Sequence, residues 1–143
     1  MNLYNETKIN EAKSIIERCL GKHGVWASPY RYQYQCWTRD FVIAAEELLL
    51  GMNRTEIVSK HLQELARRQS PNGQIPIMFL DNTPRWLWIK IKNSISQRRM
   101  SFLLRAYLSK DGIGSLSPWT RDSEFLFALG VLTYAKHTAH NEF

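Results

Sequence analysis

Two runs of this chain are apolar around almost the whole circumference of a helix. The first is Phe41-Val42-Ile43-Ala44-Ala45 with Leu48-Leu49-Leu50, stopped by Gly51, and the second is Phe125-Leu126-Phe127-Ala128-Leu129 with Val131-Leu132 and Tyr134-Ala135. A helix with no wet face needs neighbours on every side, so neither run is stable alone. Between them lies a run of another kind. Thr55 reads as a cap, Val58, Leu62, Leu65 and Ala66 form one stripe, and Lys60, Glu64, Arg67 and Arg68 point away from it, until Ser70-Pro71-Asn72-Gly73 signals a turn. This alternation predicts an all-α fold of two layers, with buried inner helices covered by amphipathic outer ones. Two concentric rings of helices satisfy both demands, and an orthogonal helical bundle is the competing architecture.

The remaining segments fill in that plan. Ile9, Ala12, Ile15, Ile16, Cys19 and Leu20 recur at helical spacing, which predicts an amphipathic helix with one wet face ending at Gly21. Residues 22–37 lose that periodicity and gather Trp26, Tyr30, Tyr32 and Tyr34 around Pro29, the pattern of an aromatic-rich loop. Residues 74–79 read as extended, because Pro76 disfavours helix in the residue before it. Thr83-Pro84 looks like a cap followed by proline at the first helical position, which predicts a helix over residues 85–92; residues 94–108 form a basic amphipathic candidate. Gly112 and Gly114 mark a loop, and the last helix is expected to end near Thr138. At 143 residues the chain suits one domain, residues 1–143, with a core of its own.

Composition narrows the function classes. A net charge of +6 permits a nucleic-acid partner, yet the basic residues concentrate locally only at Arg67-Arg68, Lys90 with Lys92, and Arg98-Arg99 with Arg105. Solvated outer helix faces account for that spread more simply. A nucleic-acid reading would use those cations with Trp86 and Trp88 as stacking groups, and it is disfavoured. Residues 1–13 alternate polar and charged types, and no long apolar run follows, so no membrane partner and a cytoplasmic location are expected. Cys19 and Cys36 lack metal-ligand spacing and read as reduced thiols, while His23, His61, His137 and His140 are dispersed. No metal or cofactor is called for.

The residues that carry chemistry come from a tetrapeptide used twice. Trp37-Thr38-Arg39-Asp40 and Trp119-Thr120-Arg121-Asp122 each stand at the mouth of one of the two wholly apolar runs. An indole offers a flat apolar face to the C–H side of a pyranose, and a guanidinium beside a carboxylate supplies charge-assisted donors and acceptors for its hydroxyls. The alternative is that Arg and Asp cap and charge the first turn of a helix while Trp plugs the core.

With those motifs, the chain resembles the six-hairpin (α/α)6 glycosidases that include glucoamylases and the amylo-α-1,6-glucosidase domain of glycogen-debranching enzymes. The resemblance rests on residues 30–34 leading into Trp37-Thr38-Arg39-Asp40, on the apolar helix ending at Leu50-Gly51, on Gly73-Gln74-Ile75-Pro76, and on Asp122-Ser123-Glu124-Phe125-Leu126-Phe127 with Tyr134-Ala135-Lys136-His137-Thr138. It implies a partial (α/α)6 toroid of antiparallel helical hairpins and an α-linked oligosaccharide or glucan as partner. It also implies that Arg39 and Asp40 hold hydroxyls of a terminal glucose while Trp37 shapes the pocket, with Trp119, Arg121 and Asp122 as further lining. In this family the acid and base stand on later loops, so the resemblance places the catalytic carboxylates beyond residue 143. Asp40, Asp122 and Glu124 are poor substitutes, because an aspartate beside arginine stays ionised and does not donate a proton. A non-catalytic carbohydrate-binding or self-associating module is the alternative function. The truncated ring would expose the sides of its inner helices and favour association with itself or with the missing part of the barrel.

Overall fold

A computed structural model of the chain describes residues 3–97 and 122–141. Within them the order is α1 (Leu3–Glu17), β1 (Gln35–Trp37), α2 (Thr38–Glu46), α3 (Thr55–Arg67), β2 (Met78–Leu80), α4 (Thr83–Gln97) and α5 (Asp122–Asn141). The all-α expectation holds for the bulk of these residues, with one addition. The extended segment after Pro76 pairs as β2 with β1 in an antiparallel two-stranded ribbon, register Gln35 to Leu80, Cys36 to Phe79 and Trp37 to Met78. Cys36 and Phe79, directly opposite one another, are both completely buried, so the ribbon is held by its inward face as well as its ladder.

The core forms where α2, α3 and α5 meet. Phe41, Val42, Ala45, Leu48 and Leu49 from α2 and the turn after it pack with Val58 and Leu62 of α3, and Cys19 and Val25 close one end. A second cluster, Cys36, Leu65, Ile75 and Phe79, lies behind the ribbon, and Trp26 and Phe127 touch both clusters. Gly130 lets α5 come this close: a Cβ there would sit 3.2 Å from both Leu62 Cδ2 and Val42 Cγ2. The predicted α3 stripe is buried at Val58, Leu62 and Leu65, and His61 completes it. His61 is fully buried, stacks on Phe41 at 3.7 Å between centroids, and accepts a hydrogen bond at Nδ1 from the Val25 N–H at 3.0 Å.

Several local expectations change. The two runs read as buried on nearly every side are buried on one side: Ile43 is 75% exposed on α2, and Phe125 and Leu132 are 70% and 66% exposed on α5. Apolar composition around a helix reports what its sides tolerate, whereas burial needs a neighbour, and the described residues supply one on only part of the circumference. The end of the first run is a wide π-type turn, Glu47–Gly51, closed by the Met52 N–H on the Glu47 carbonyl at 3.0 Å. Along α1, Ile9 and Ile15 are exposed, the helix stops at Glu17 before Gly21, and Leu20 bridges back to Val25. Thr55 is the first residue of α3 and provides no side-chain cap, and Ala66 is exposed. Glu64 and Arg68 do not point freely outward either; they pair with each other, and the Arg68 guanidinium lies 4.7 Å from the centre of the Phe79 ring. The cap of α4 is Asn82, whose Oδ1 accepts from the Arg85 N–H at 3.0 Å, and α4 continues through the predicted break after residue 92. Trp86 is buried and unavailable for stacking, while Trp88 is exposed. The last helix runs past Thr138 to Asn141. The expected loop at residues 110–118, most of the basic candidate at 94–108, and Arg98, Arg99 and Arg105 lie outside the described residues. Among the described residues no helix is long and apolar enough to cross a membrane.

One acidic side chain organises the aromatic loop. Asp81, just past β2, accepts hydrogen bonds from the N–H groups of Lys22 at 3.1 Å and His23 at 2.6 Å and from the indole N–H of Trp26 at 3.1 Å. The loop is thereby fixed across the molecule, although little of it is regular secondary structure. Tyr34 takes a left-handed backbone, φ 65°, which turns the chain from the loop into β1, and it is buried edge-on against Trp26 at 4.7 Å.

Candidate functional site

β1 runs without a loop into α2, so Trp37 is the last extended residue and Thr38 the first helical one. Thr38 is completely buried; its N–H donates to the Ile77 carbonyl at 3.0 Å and its hydroxyl to the Pro76 carbonyl at 2.6 Å. With Thr38, Phe41, Val42 and Ala45 facing inward, helical geometry turns Arg39 and Asp40 to the surface. The motif therefore divides its labour. Threonine anchors the corner, and arginine and aspartate are presented to water.

Arg39 meets the second copy of the motif. Its Nη2 donates to Asp122 Oδ2, at the first residue of α5. The hydrogen bond and charge of Asp122, with a smaller contribution from Asp40, hold the Arg39 guanidinium protonated even more firmly than an ordinary arginine. The pair is exposed, 63% for Arg39 and 38% for Asp122, so water and salt screen it and it adds little to folding. Trp37, two residues before Arg39 in the chain, is half-buried, with its indole N–H on Gln35 Oε1 at 3.3 Å and its ring edge-on to Tyr32 at 6.1 Å.

The same turn of α5 makes a second link. Glu124 Oε1 accepts from the Ile75 N–H at 3.4 Å, and Glu124 Oε2 is shielded from solvent with no hydrogen-bond partner among the described residues. Asp122 to Arg39, Thr38 to Pro76 and Ile75 to Glu124 form a circuit of side-chain bonds. Three of the segments behind the resemblance are thus joined: the first tetrapeptide, Gly73-Gln74-Ile75-Pro76, and the start of Asp122-Ser123-Glu124.

Of the six residues expected to line a sugar site, the structure brings Arg39 and Asp122 into contact, with Asp40 next to Arg39 on α2 and Trp37 at the end of β1 just before it. Trp119 and Arg121 lie outside the described residues. The alternative role of the motif is also visible, because Asp40 and Asp122 both fall in the first turn of a helix, where a carboxylate is favoured by the dipole. Two clefts lie elsewhere, one of about 300 Å³ between Leu20, Lys22, Arg54 and Lys60, the other of about 550 Å³ along α1 from Thr7 to Arg18. Sequence reasoning treated Glu64 as a solvated charge and passed over Asp81. Asp81 has no local signature, since its partners lie more than fifty positions away, whereas the pairing of Glu64 with Arg67 and Arg68 follows the i,i+3 and i,i+4 spacing of a helix. Among the described residues no three of His, Cys, Asp and Glu gather as a metal site. Compared with known proteins, the chain matches no family model, no curated protein and no solved structure.

Proposed function

We propose that this chain carries the sugar-binding corner of a six-hairpin glycosidase-like protein acting on α-glucans, of glucoamylase or debranching type, within a partial (α/α)6 ring. The observation that supports this reading most is the ion pair between Arg39 of one tetrapeptide and Asp122 of the other, beside the half-buried Trp37. An indole edge, a guanidinium and two carboxylates within one corner supply both the apolar platform and the donors and acceptors that a glucose unit needs. Trp119 and Arg121 join the site in this proposal, and the acid and base for hydrolysis are not assigned to any residue of this chain. The test is titration of the chain with maltose, isomaltose and glycogen, followed by tryptophan fluorescence and calorimetry, with hydrolysis measured in parallel. Binding that Arg39→Ala weakens supports the proposal, and absence of binding to all three sugars overturns it.

A second reading draws on a different observation. The exposed faces of α2 and α5, with Ile43, Phe125, Leu129 and Leu132, favour a non-catalytic module that associates with itself or with further helical hairpins. Sedimentation separates the two: a strictly monomeric chain that binds sugar removes this second reading.

A further inference from the structure

The aromatic wall does not end at Trp37. Tyr32 touches Trp37 edge-on, and the Arg31 guanidinium lies over the Tyr32 ring with its carbon 5.4 Å from the centroid. The turn that presents them is built by Ser28, whose Oγ accepts from the N–H groups of both Tyr30 at 3.3 Å and Arg31 at 3.2 Å. Next to it Arg18 repeats the arrangement, donating to the Tyr30 hydroxyl at 2.6 Å with its guanidinium carbon 5.6 Å from that ring. Arg39, Arg54, Arg67 and Arg68 each have a carboxylate partner. Among the described residues, Arg31 and Arg18 have none within ion-pair distance. The surface is therefore polar along its length, with Asp40 and Asp122 around Arg39 at one end and two uncompensated guanidinium groups at the other.

A neutral glucan meets those two groups only as donors to its hydroxyls, whereas an anion also meets their charge. A guanidinium lying on an aromatic face is weakly hydrated and already oriented, so it loses little freedom when its planar fork meets two oxygens of an anion. On the reading that Trp37, Arg39 and Asp122 bind sugar, we propose that Arg31, supported by Tyr32 and with Arg18 nearby, is a subsite for an anionic substituent on the glycan. The chemistry it fits is a planar or tetrahedral oxyanion, either a phosphate monoester or a uronate carboxylate.

The experiment compares maltotriose, maltotriose 6-phosphate and a glucuronate-ended trisaccharide by calorimetry on the intact chain at low and high salt, with inorganic phosphate as a competitor. At least one anionic sugar is expected to bind about tenfold more tightly than neutral maltotriose at low salt, with the advantage shrinking as salt rises. Which of the two does so identifies the oxyanion. Arg31→Ala and Arg31→Gln, checked for unchanged circular dichroism, are expected to abolish the advantage while leaving the neutral affinity intact, whereas Arg39→Ala weakens all three sugars. Equal affinity for neutral and anionic sugars, or an advantage that survives both Arg31 variants, overturns the anionic subsite and leaves the sugar platform standing. Failure of every sugar to bind removes the platform and the subsite together.

Discussion

Arg39 and Asp122, 83 positions apart in the sequence, form an ion pair that ties the first turn of α2 to the first turn of α5. Both turns begin from the same tetrapeptide. Because the pair is exposed, water and salt screen it and it contributes little to holding the helices together. Arg39→Ala and Asp122→Asn are expected to leave the thermal midpoint nearly unchanged and to weaken maltooligosaccharide binding. Arg39→Lys keeps the charge but loses the planar fork, so it is expected to fall between wild type and alanine. Thermal melts run beside binding titrations on the same samples check both halves of the statement.

Asp81 acts in the opposite sense, as a half-buried brace between the aromatic loop and the end of β2. Three donors converge on its carboxylate, and Asp81→Ala leaves the indole N–H of Trp26 without an acceptor. The expected cost is about 2–3 kcal/mol in urea denaturation, with a shift in tryptophan emission because Trp26 loses its charged partner. An unchanged midpoint and spectrum would show that the loop is braced elsewhere.

Burial of His61, with a smaller contribution from the Arg68 charge, lowers its pKa from 6.5 to about 3. The folded state thus resists protonation while the unfolded chain takes up a proton below about 6.5. Stability from this group is fully present above that pH and is lost as pH falls toward 3, at up to about 1.4 kcal/mol per pH unit. His61→Phe is expected to flatten that slope between pH 6.5 and 4. At neutral pH it costs about 1–3 kcal/mol, because the Val25 N–H loses its acceptor. Urea titrations at pH 7, 5.5 and 4.5 on both proteins give the comparison.

Gly24 sits against the same cluster. A Cβ there would lie 2.8 Å from Phe79 Cζ, 2.9 Å from His61 Nδ1 and 3.0 Å from Cys36 Sγ, all of them buried groups with little room to retreat. Gly24→Ala is expected to destabilise the chain by about 1–3 kcal/mol. Gly73→Ala, where the contact is a single exposed glutamine side chain at 3.9 Å but φ is +89°, tests backbone strain alone.

Much of the helical plan was legible. Val58, Leu62 and Leu65 announced the buried side of α3, Ser70 to Gly73 announced the turn after it, and the repeated tetrapeptide pointed to two helix starts that do come together. His61 was also within reach, since it shares the spacing of Val58 and Leu65, but a histidine on an apolar stripe gives no sign of which nitrogen finds a partner. Other features had no local signal. The partners of Asp81 and the pairing of β1 with β2 depend on chain segments brought together from far apart. The bareness of Ile43 and Phe125 depends on where neighbouring helices are, which periodicity does not encode.

Cys36 sits at the hub of the second cluster with no exposed surface, and burial together with the nearby Asp81 charge raises its thiol far above the ordinary cysteine range. Alkylating reagents attack the thiolate of an accessible sulfur, so in the native state this one offers neither the ionised form nor a path to it. The ribbon must separate before iodoacetamide can label it. Cys36 is therefore an internal clock, and the rate at which it is carboxamidomethylated reports how often the barrier between Phe79 and solvent gives way.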